Sequence, residues 1–470
     1  MENRQDAFDD EDDEATLSAF LDKLSSRTRT GITVEEFRVP LRQKVRLPKG
    51  NVARVVLGAI VLAVATFSWS FGSFVLKDNG DTTAQRAVTW ARNHRLGSVV
   101  DFAERAKYGK APSKTAAGTL DLNTPTLTTV TTVAPTTTTT QLATTTTPLP
   151  TTVPAKTSVP NTTVVPTTTT TVAPTTTTIP AWQIAPVNVK PLVDPALPDE
   201  GIWKPLVNIG GHDVMWAGSI RPLPDSPAVV GSFAIIDQTN TTAAMFNGSD
   251  IPGGKDWQLS NKVPKEIQPM LLAAFNGGFR FEHIKGGFKT EGRVVRELKA
   301  GQGTVAVSKT GKISIGEFGR DINDDGTWIS LRQNLPLLVD AGKSMVDSHS
   351  DTWWGADYGN VLFVLRSSIC QLADGRLMYG AIGKVDAKTL AASLVNMGCQ
   401  RAMQMDINGT WPTFHTFPTE ADGAQHGNAL DKRMGGSRDR YLTGSTREFF
   451  AFFETAALPA NNIVTKVEAS

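Results

Sequence analysis

Three stretches of this sequence place side chains able to do chemistry beside turns or strand ends. In AAFNGGFRFEHIKGGFKTEGRVV (273–295) an apolar run ends in Asn276-Gly277-Gly278. Two glycines there permit a tight turn and let backbone N–H groups approach a ligand closely. Arg280, His283, Lys285, Lys289, Arg293 and Arg296 follow, opposed only by Glu282, Glu291 and Glu297, with Phe275, Phe279 and Phe281 interleaved. Cations set among aromatic rings suit an anion next to a sugar, such as a phosphoryl group. The charged face of an ordinary hairpin has the same composition. In VLFVLRSSI (361–369) Arg366 interrupts an apolar strand. A buried unpaired charge costs several kcal/mol, so Arg366 is expected at the strand end facing a cleft, or else at an exposed sheet edge.

The third stretch is MQMDINGTW (403–411), where an apolar strand delivers Asp406 to its end and Asn408 sits in the turn. Trp411, Phe414, His415 and Phe417 come next. A carboxylate beside aromatic rings suits a sugar ring, with Asp406 as acid, base or ligand and Trp411 as a stacking face. His415 and His283 are candidate proton donors, and a plain turn with a structural histidine is the alternative. Asp321, Asn323, Asp324 and Asp325 resemble a calcium-type cluster, but the twelfth place is Arg332 where that loop requires Glu, so a polar turn is expected. HExxH, P-loop, GxSxG and Rossmann signatures are absent, which weakens metalloprotease, ATPase, serine-esterase and dehydrogenase readings. No metal and no cofactor are expected.

The elements that must position these residues are mostly short strands. Val229–Ile236, Thr242–Phe246 and Met270–Phe275 are apolar runs between turns. Thr304–Ser308 with Ile313–Ile315, and Val361–Ile369 with Leu377–Ile382, read as hairpins joined by glycine-containing turns. One helix is well marked: Asp386 can cap it, Leu390, Ala391, Leu394, Val395 and Met397 line one face, and Gly398 can end it. The run 447–454, with Phe449, Phe450, Phe452 and Phe453, is expected to be a second helix. The fold class is α+β, a mixed and mainly antiparallel sheet with packed helices. Cys370 and Cys399 form a disulfide if the domain is outside the cell, or else stay as two buried thiols.

Ahead of this domain, composition divides the chain. Residues 1–54 form an acidic-then-basic tail: eight acidic residues lie within 1–14, and six basic ones lie between Arg38 and Arg54. Residues 55–76 hold no charge and span about 33 Å as a helix, enough to cross a bilayer. A buried globular helix or a cleaved signal peptide are the rivals, and more than 50 preceding residues argue against the latter. The positive-inside rule places the tail in the cytoplasm and the rest outside a plasma membrane crossed once, a signal-anchor topology. Residues 77–110 read as a helical juxtamembrane element. Residues 111–180 read as a disordered stalk, with 29 Thr and 9 Pro in 121–180. The catalytic-type domain is 181–470. The whole-chain balance of 47 basic to 46 acidic residues requires no nucleic-acid partner.

The series NGGF (276–279), RSSICQLADGRL (366–377), MGC (397–399) and MQMDINGT (403–410) resembles the phosphodiester glycosidase family. The resemblance covers roughly 205–455 and implies an α+β catalytic domain that hydrolyses a glycosyl–phosphate bond. It carries Asn276, Gly277 and Gly278 onto the family's turn, Arg366 onto its strand arginine and Asp406 onto the opening of its DGGGS motif. There the sequence departs, with Ile407, Asn408, Gly409 and Thr410 in place of the glycine-rich run. The implied activity is hydrolysis of glycosyl-phosphodiester linkages in cell-envelope glycans or a sugar-phosphate polymer, with Asp406, His415 and His283 as catalytic candidates. Asn276, Gly277, Gly278, Arg280, Arg366, Asn408 and Trp411 are the binding candidates. The alternative is a non-catalytic envelope protein that binds polysaccharide in the same cleft.

Overall fold

A computed structural model describes residues 51–76, 83–108, 184–348, 351–355, 364–407, 411–420 and 423–466, with scattered positions between 112 and 130. Residues 1–50 of the tail and nearly all of the Thr/Pro segment lie outside the described residues.

The apolar stretch is a helix, Asn51–Val75, and among the described residues it alone is long and apolar enough to cross a membrane. Two shorter helices follow, Thr83–Asn93 and Gly97–Tyr108. Trp90 turns back onto the end of the apolar helix, its ring 4.6 Å from that of Phe67 and 4.9 Å from Phe71.

Three sheets build the rest. The largest has nine strands, in the order Thr128–Val130, Lys204–Ile209, His212–Ile220, Gly231–Ile236, Leu377–Val385, Val364–Leu372, Cys399–Gln404, Val339–Asp340 and Lys343–Ser344. Every pair is antiparallel except the first. That first pair draws its outer strand from within residues 111–180. Thr128–Val130, three β-branched residues, pairs with the edge strand Lys204–Ile209, and the Asn123 N–H donates to Leu430 O at 3.0 Å. A second sheet runs Ile313–Glu317, Gly303–Ser308, Trp328–Gln333, Phe288–Thr290, Arg293–Arg296. A third runs Asn428–Ala429, Phe414–Thr416, Leu271–Asn276, Phe449–Glu454, Thr241–Phe246. The architecture is α+β with mainly antiparallel sheets and few helices.

The main core lies where the three sheets face one another, with Ile236, Ile369 and Met403 from the first, Val305 and Ile315 from the second, and Phe275, Phe414 and Phe450 from the third. The capped helix, Ala387–Asn396, covers the other face of the large sheet with Leu390 and Leu394. Its Asp386 carboxylate accepts from the Thr389 N–H at 2.7 Å, and Gly398 takes φ +87° just past its end. Cys370 and Cys399, brought side by side where the strands Val364–Leu372 and Cys399–Gln404 pair, are bonded as a disulfide.

The run 447–454 is not a helix. Phe449–Glu454 is a strand between Leu271–Asn276 and Thr241–Phe246. Phe450 and Phe452 enter the main core, while Phe449 and Phe453 enter a separate cluster with Phe246 and Tyr441 on the opposite face. A strand buried on both faces shows a continuous apolar run without alternation, and no period separates it from a short helix.

Candidate active site

Antiparallel pairing places the C-terminal end of one strand beside the N-terminal end of its neighbour. Asn276 ends its strand opposite Phe449, which opens the next. The residue after Asn276 therefore meets the residue before Phe449: the Gly277 N–H donates to Glu448 O at 3.0 Å. The strand Cys399–Gln404 leads to Asp406, whose backbone oxygen accepts from the N–H of Ser367 at 3.0 Å and from its hydroxyl at 2.8 Å. Asn276, Gly277, Asp406, Trp411, Arg440, Tyr441, Ser445, Arg447 and Glu448 line one small recess with a cavity volume of about 10 Å³. Ligand sites usually offer about 300–1,000 Å³, so this polar floor has room for about one water and none for a sugar phosphate.

Charge dominates this floor. Asp406 Oδ2 lies 3.0 Å from Arg447 Nη2, and Oδ1 accepts from the Ile407 N–H at 2.8 Å. Burial lifts the Asp406 pKa above its ordinary value, against the pull of Arg447 and with a further push from Glu448. Glu448 Oε1 accepts from Arg332 Nε at 2.7 Å and from the Gly278 N–H at 3.0 Å, and both side chains are fully buried. Three guanidiniums (Arg332, Arg440, Arg447) against two carboxylates leave one positive charge. Trp411 lies beside two of them, with Arg440 Cζ 4.8 Å and Arg447 Cζ 5.1 Å from its ring.

Asn276 is fixed from several sides. Its Oδ1 accepts from the Tyr379 hydroxyl and from the Thr413 N–H, each at 3.0 Å, and its Nδ2 donates to Ser367 Oγ at 3.1 Å. Burial raises the Tyr379 phenol well above its usual pKa, so it stays a donor. The two glycines act differently from the expectation that they free backbone N–H groups for a ligand, because both N–H groups are taken by Glu448. Neither has a positive φ. What they supply is room: a Cβ on Gly277 would sit 2.4 Å from Glu448 Oε1, and one on Gly278 would sit 3.1 Å from Arg332 Nη2 and Asn334 Oδ1.

Several expected residues stand elsewhere. Arg366 is completely buried and faces away from the recess, because Ser367, its chain neighbour, is the one that turns toward Asn276 and Asp406. Its guanidinium donates to Val385 O at 2.9 Å, Trp354 O at 3.0 Å and Gln404 Oε1 at 2.9 Å, which satisfies the charge inside the sheet without a cleft. Arg280 is held by Glu282 at 2.5 Å and Asp250 at 3.3 Å and does not line the recess. His283 lies on a single turn beside Glu282, and burial, with the charges of Arg92, Arg280 and Arg447, lowers its pKa to about 4. His415 is buried against Phe417 and Tyr441 on the far face of its strand. Its pKa falls to about 3 by burial and then by Arg440, so it is a neutral core residue and not a proton donor at the recess. Asn408 lies outside the described residues. Ile407, expected from the resemblance to stand where a glycine would, is buried in the core beneath Gly355 and does not line the recess. The acidic turn at 321–326 is consumed internally: Asp321 pairs with Arg320 and Arg401, and Asp324 with Lys289.

Arg440, Tyr441, Ser445, Arg447 and Glu448 were not singled out from the sequence. The signal for Arg447 and Glu448 was their place directly before the apolar run 449–453, the same placement that marked Asp406 after one.

Residues 270–406 match the family model for phosphodiester glycosidase. Among solved structures the chain is similar to the catalytic domain of zebrafish N-acetylglucosamine-1-phosphodiester alpha-N-acetylglucosaminidase, auto-inhibited by its pro-peptide. The identity is 14%, over 52% of this chain and 85% of that one, with a TM-score of 0.36. It is also similar to a hypothetical protein from Synechocystis, at 10% identity over 52% and 63% of the two chains, TM-score 0.33. A putative exported protein of Burkholderia pseudomallei shows 11% identity over 48% and 74%, TM-score 0.29. No curated protein matches the chain. The stretch from the foot of the Asn276 strand to Asp406 is thus a phosphodiester glycosidase match, to a family of hydrolases of phosphodiester-linked sugars.

Proposed function

We propose that this protein is a membrane-anchored hydrolase of glycosyl-phosphodiester linkages, with its domain outside the cell and its substrate in the envelope, a glycan or a sugar-phosphate polymer. The observation that carries the reading is the pairing of Asp406 with Arg447 on the floor shared by Asn276 and Trp411. The bond to break joins an anomeric carbon to a phosphate oxygen. A phosphomonoester leaves well, so the chemistry needs charge placement more than strong acid assistance. Arg447 and Arg440 take the phosphate in place of Arg366, and the single excess positive charge suits one phosphodiester anion. Trp411 stacks on the apolar face of the sugar. Asn276, fixed by Tyr379, Thr413 and Ser367, orients a hydroxyl or the attacking water. Asp406 supports the oxocarbenium-like charge as the bond breaks.

The chain purified whole in detergent is expected to release free sugar from members of a UDP-sugar and glycosyl-phosphodiester panel. Asp406→Asn is expected to lower turnover at least roughly a hundredfold while folding persists. An unchanged rate removes Asp406 from the mechanism, and saturable binding of envelope polymer with no product makes the domain a binder. For the anchor, protease added to intact cells is expected to remove the C-terminal domain. A domain that stays protected overturns the orientation.

A further inference from the structure

We propose that Glu448 is the catalytic base that activates the attacking water, an inference that rests on the glycosyl-phosphodiester reading above. Glu448 is 1% exposed and lines the same recess as Asp406. Its Oε1 is committed to Arg332 and Gly278, but its Oε2 is buried and has no hydrogen-bond partner among the described residues. Buried carboxylate oxygens are ordinarily filled by a donor, and an empty one at a recess is a place for a ligand proton. Asp406 differs, since Oδ1 is taken by the Ile407 N–H and Oδ2 by Arg447. Of the two carboxylates, only Glu448 offers an oxygen to a water.

The chain fixes that oxygen firmly. Arg332 donates through Nε to Glu448 and through Nη1 and Nη2 to Gln333 O and Phe279 O, each at 2.5 Å, so the guanidinium cannot swing away. The Gly277 N–H holds the Glu448 backbone. In the step, the water oxygen bonds to the anomeric carbon and the bond from that carbon to the phosphate oxygen breaks. Its electron pair stays on the phosphate oxygen, and the water proton passes to Glu448 Oε2. The products are free sugar and a phosphomonoester, and Glu448 then returns its proton to solvent. Asp406, raised in pKa by burial and bound to Arg447, is left to the electrostatic role on the departing side.

The test measures sugar release from UDP-sugars by the full-length chain in detergent. Glu448→Gln keeps an oxygen for Arg332 and Gly278 and is expected to lower kcat at least roughly a hundredfold, with KM within about threefold. In Glu448→Ala, added formate is expected to restore at least about tenfold of the lost rate while leaving the wild type unchanged, a response that a merely structural role does not give. A Glu448→Gln variant keeping more than about a tenth of wild-type kcat, or a folded Glu448→Ala variant that formate does not help, overturns the assignment and leaves the glycosidase reading standing. A wild type that releases sugar from no substrate overturns both.

Discussion

Gly277→Ala isolates the claim that the Asn-Gly-Gly turn exists to make room for Glu448. The added Cβ would lie 2.4 Å from Glu448 Oε1 and 2.6 Å from its Cδ and Cγ. Contacts under 3.0 Å require something to move, and Glu448 has nowhere to go. It is fully buried, and Oε1 is held by Arg332 Nε at 2.7 Å and the Gly278 N–H at 3.0 Å. Overpacking of this kind costs about 1–3 kcal/mol, and hydrogen bonds to charged groups contribute about 1.5–3 kcal/mol each. With one such bond weakened, the expected loss is about 3–5 kcal/mol. Because φ at Gly277 is not in the left-handed region, none of this cost comes from backbone strain.

Gly278→Ala is the internal control. Its nearest contacts, Arg332 Nη2 and Asn334 Oδ1, lie at 3.1 Å, a distance that a few tenths of an ångström relieves, so about 1 kcal/mol is expected. Thermal unfolding in detergent, followed by near-ultraviolet circular dichroism, should show Gly277→Ala lower by about 5–10 °C and Gly278→Ala by about 2 °C. The double substitution Gly277→Ala with Glu448→Asp shortens the obstructing side chain and should recover part of the loss. A Gly277→Ala protein that melts within 1 °C of the wild type, or above Gly278→Ala, refutes the argument that Glu448 fills this space.

Three further outcomes follow from the same coordinates. His415 has a folded pKa of about 3 against 6.5 when unfolded, so the unfolded chain binds the extra proton and stability falls as pH drops below 6.5. The loss attributable to His415 is about 2 kcal/mol at pH 5, and His415→Phe should remove it, so equal acid sensitivity of the two proteins counts against the assignment. Cys370 and Cys399 close a loop with a separation of 29 residues, so the double Cys→Ser variant should lose about 3–4 kcal/mol. Alkylation without reduction should add no mass at either position, and label on either sulfur contradicts the bond. Trp411→Ala removes the ring beside Arg440 and Arg447 and should raise KM roughly tenfold while kcat changes less than about fivefold, and the reverse pattern would make Trp411 part of the chemical step.

How far the sequence was legible depended on whether a residue's signal was local. The hairpin 303–317 and the capped helix 387–396 are written in turn glycines, Asp386 and Gly398, all within a few positions of the element they shape. Phe449–Glu454 was misread because its burial on both faces depends on two neighbours, one ending at Asn276 and the other formed by residues 241–246. Those partners lie about 170 and 210 positions earlier, beyond any window of periodicity. The error at Arg366 has a different origin. Strand alternation gives two faces but not which face is the site, and the cost of burying an unpaired charge pointed Arg366 toward a cleft or an edge when partners inside the protein were at hand. Two carbonyls and one amide oxygen are among the acceptors it finds inside the protein. The face toward the recess belongs to Ser367, a residue whose type alone attracts no notice. The same geometry explains why half of the recess was missed. In an antiparallel sheet a site forms where one strand ends and the next begins, so its residues must come in pairs, one after an apolar run and one before another. Asn276 belongs to the first kind, and its counterpart had to be sought just ahead of a strand that first had to be recognised as one.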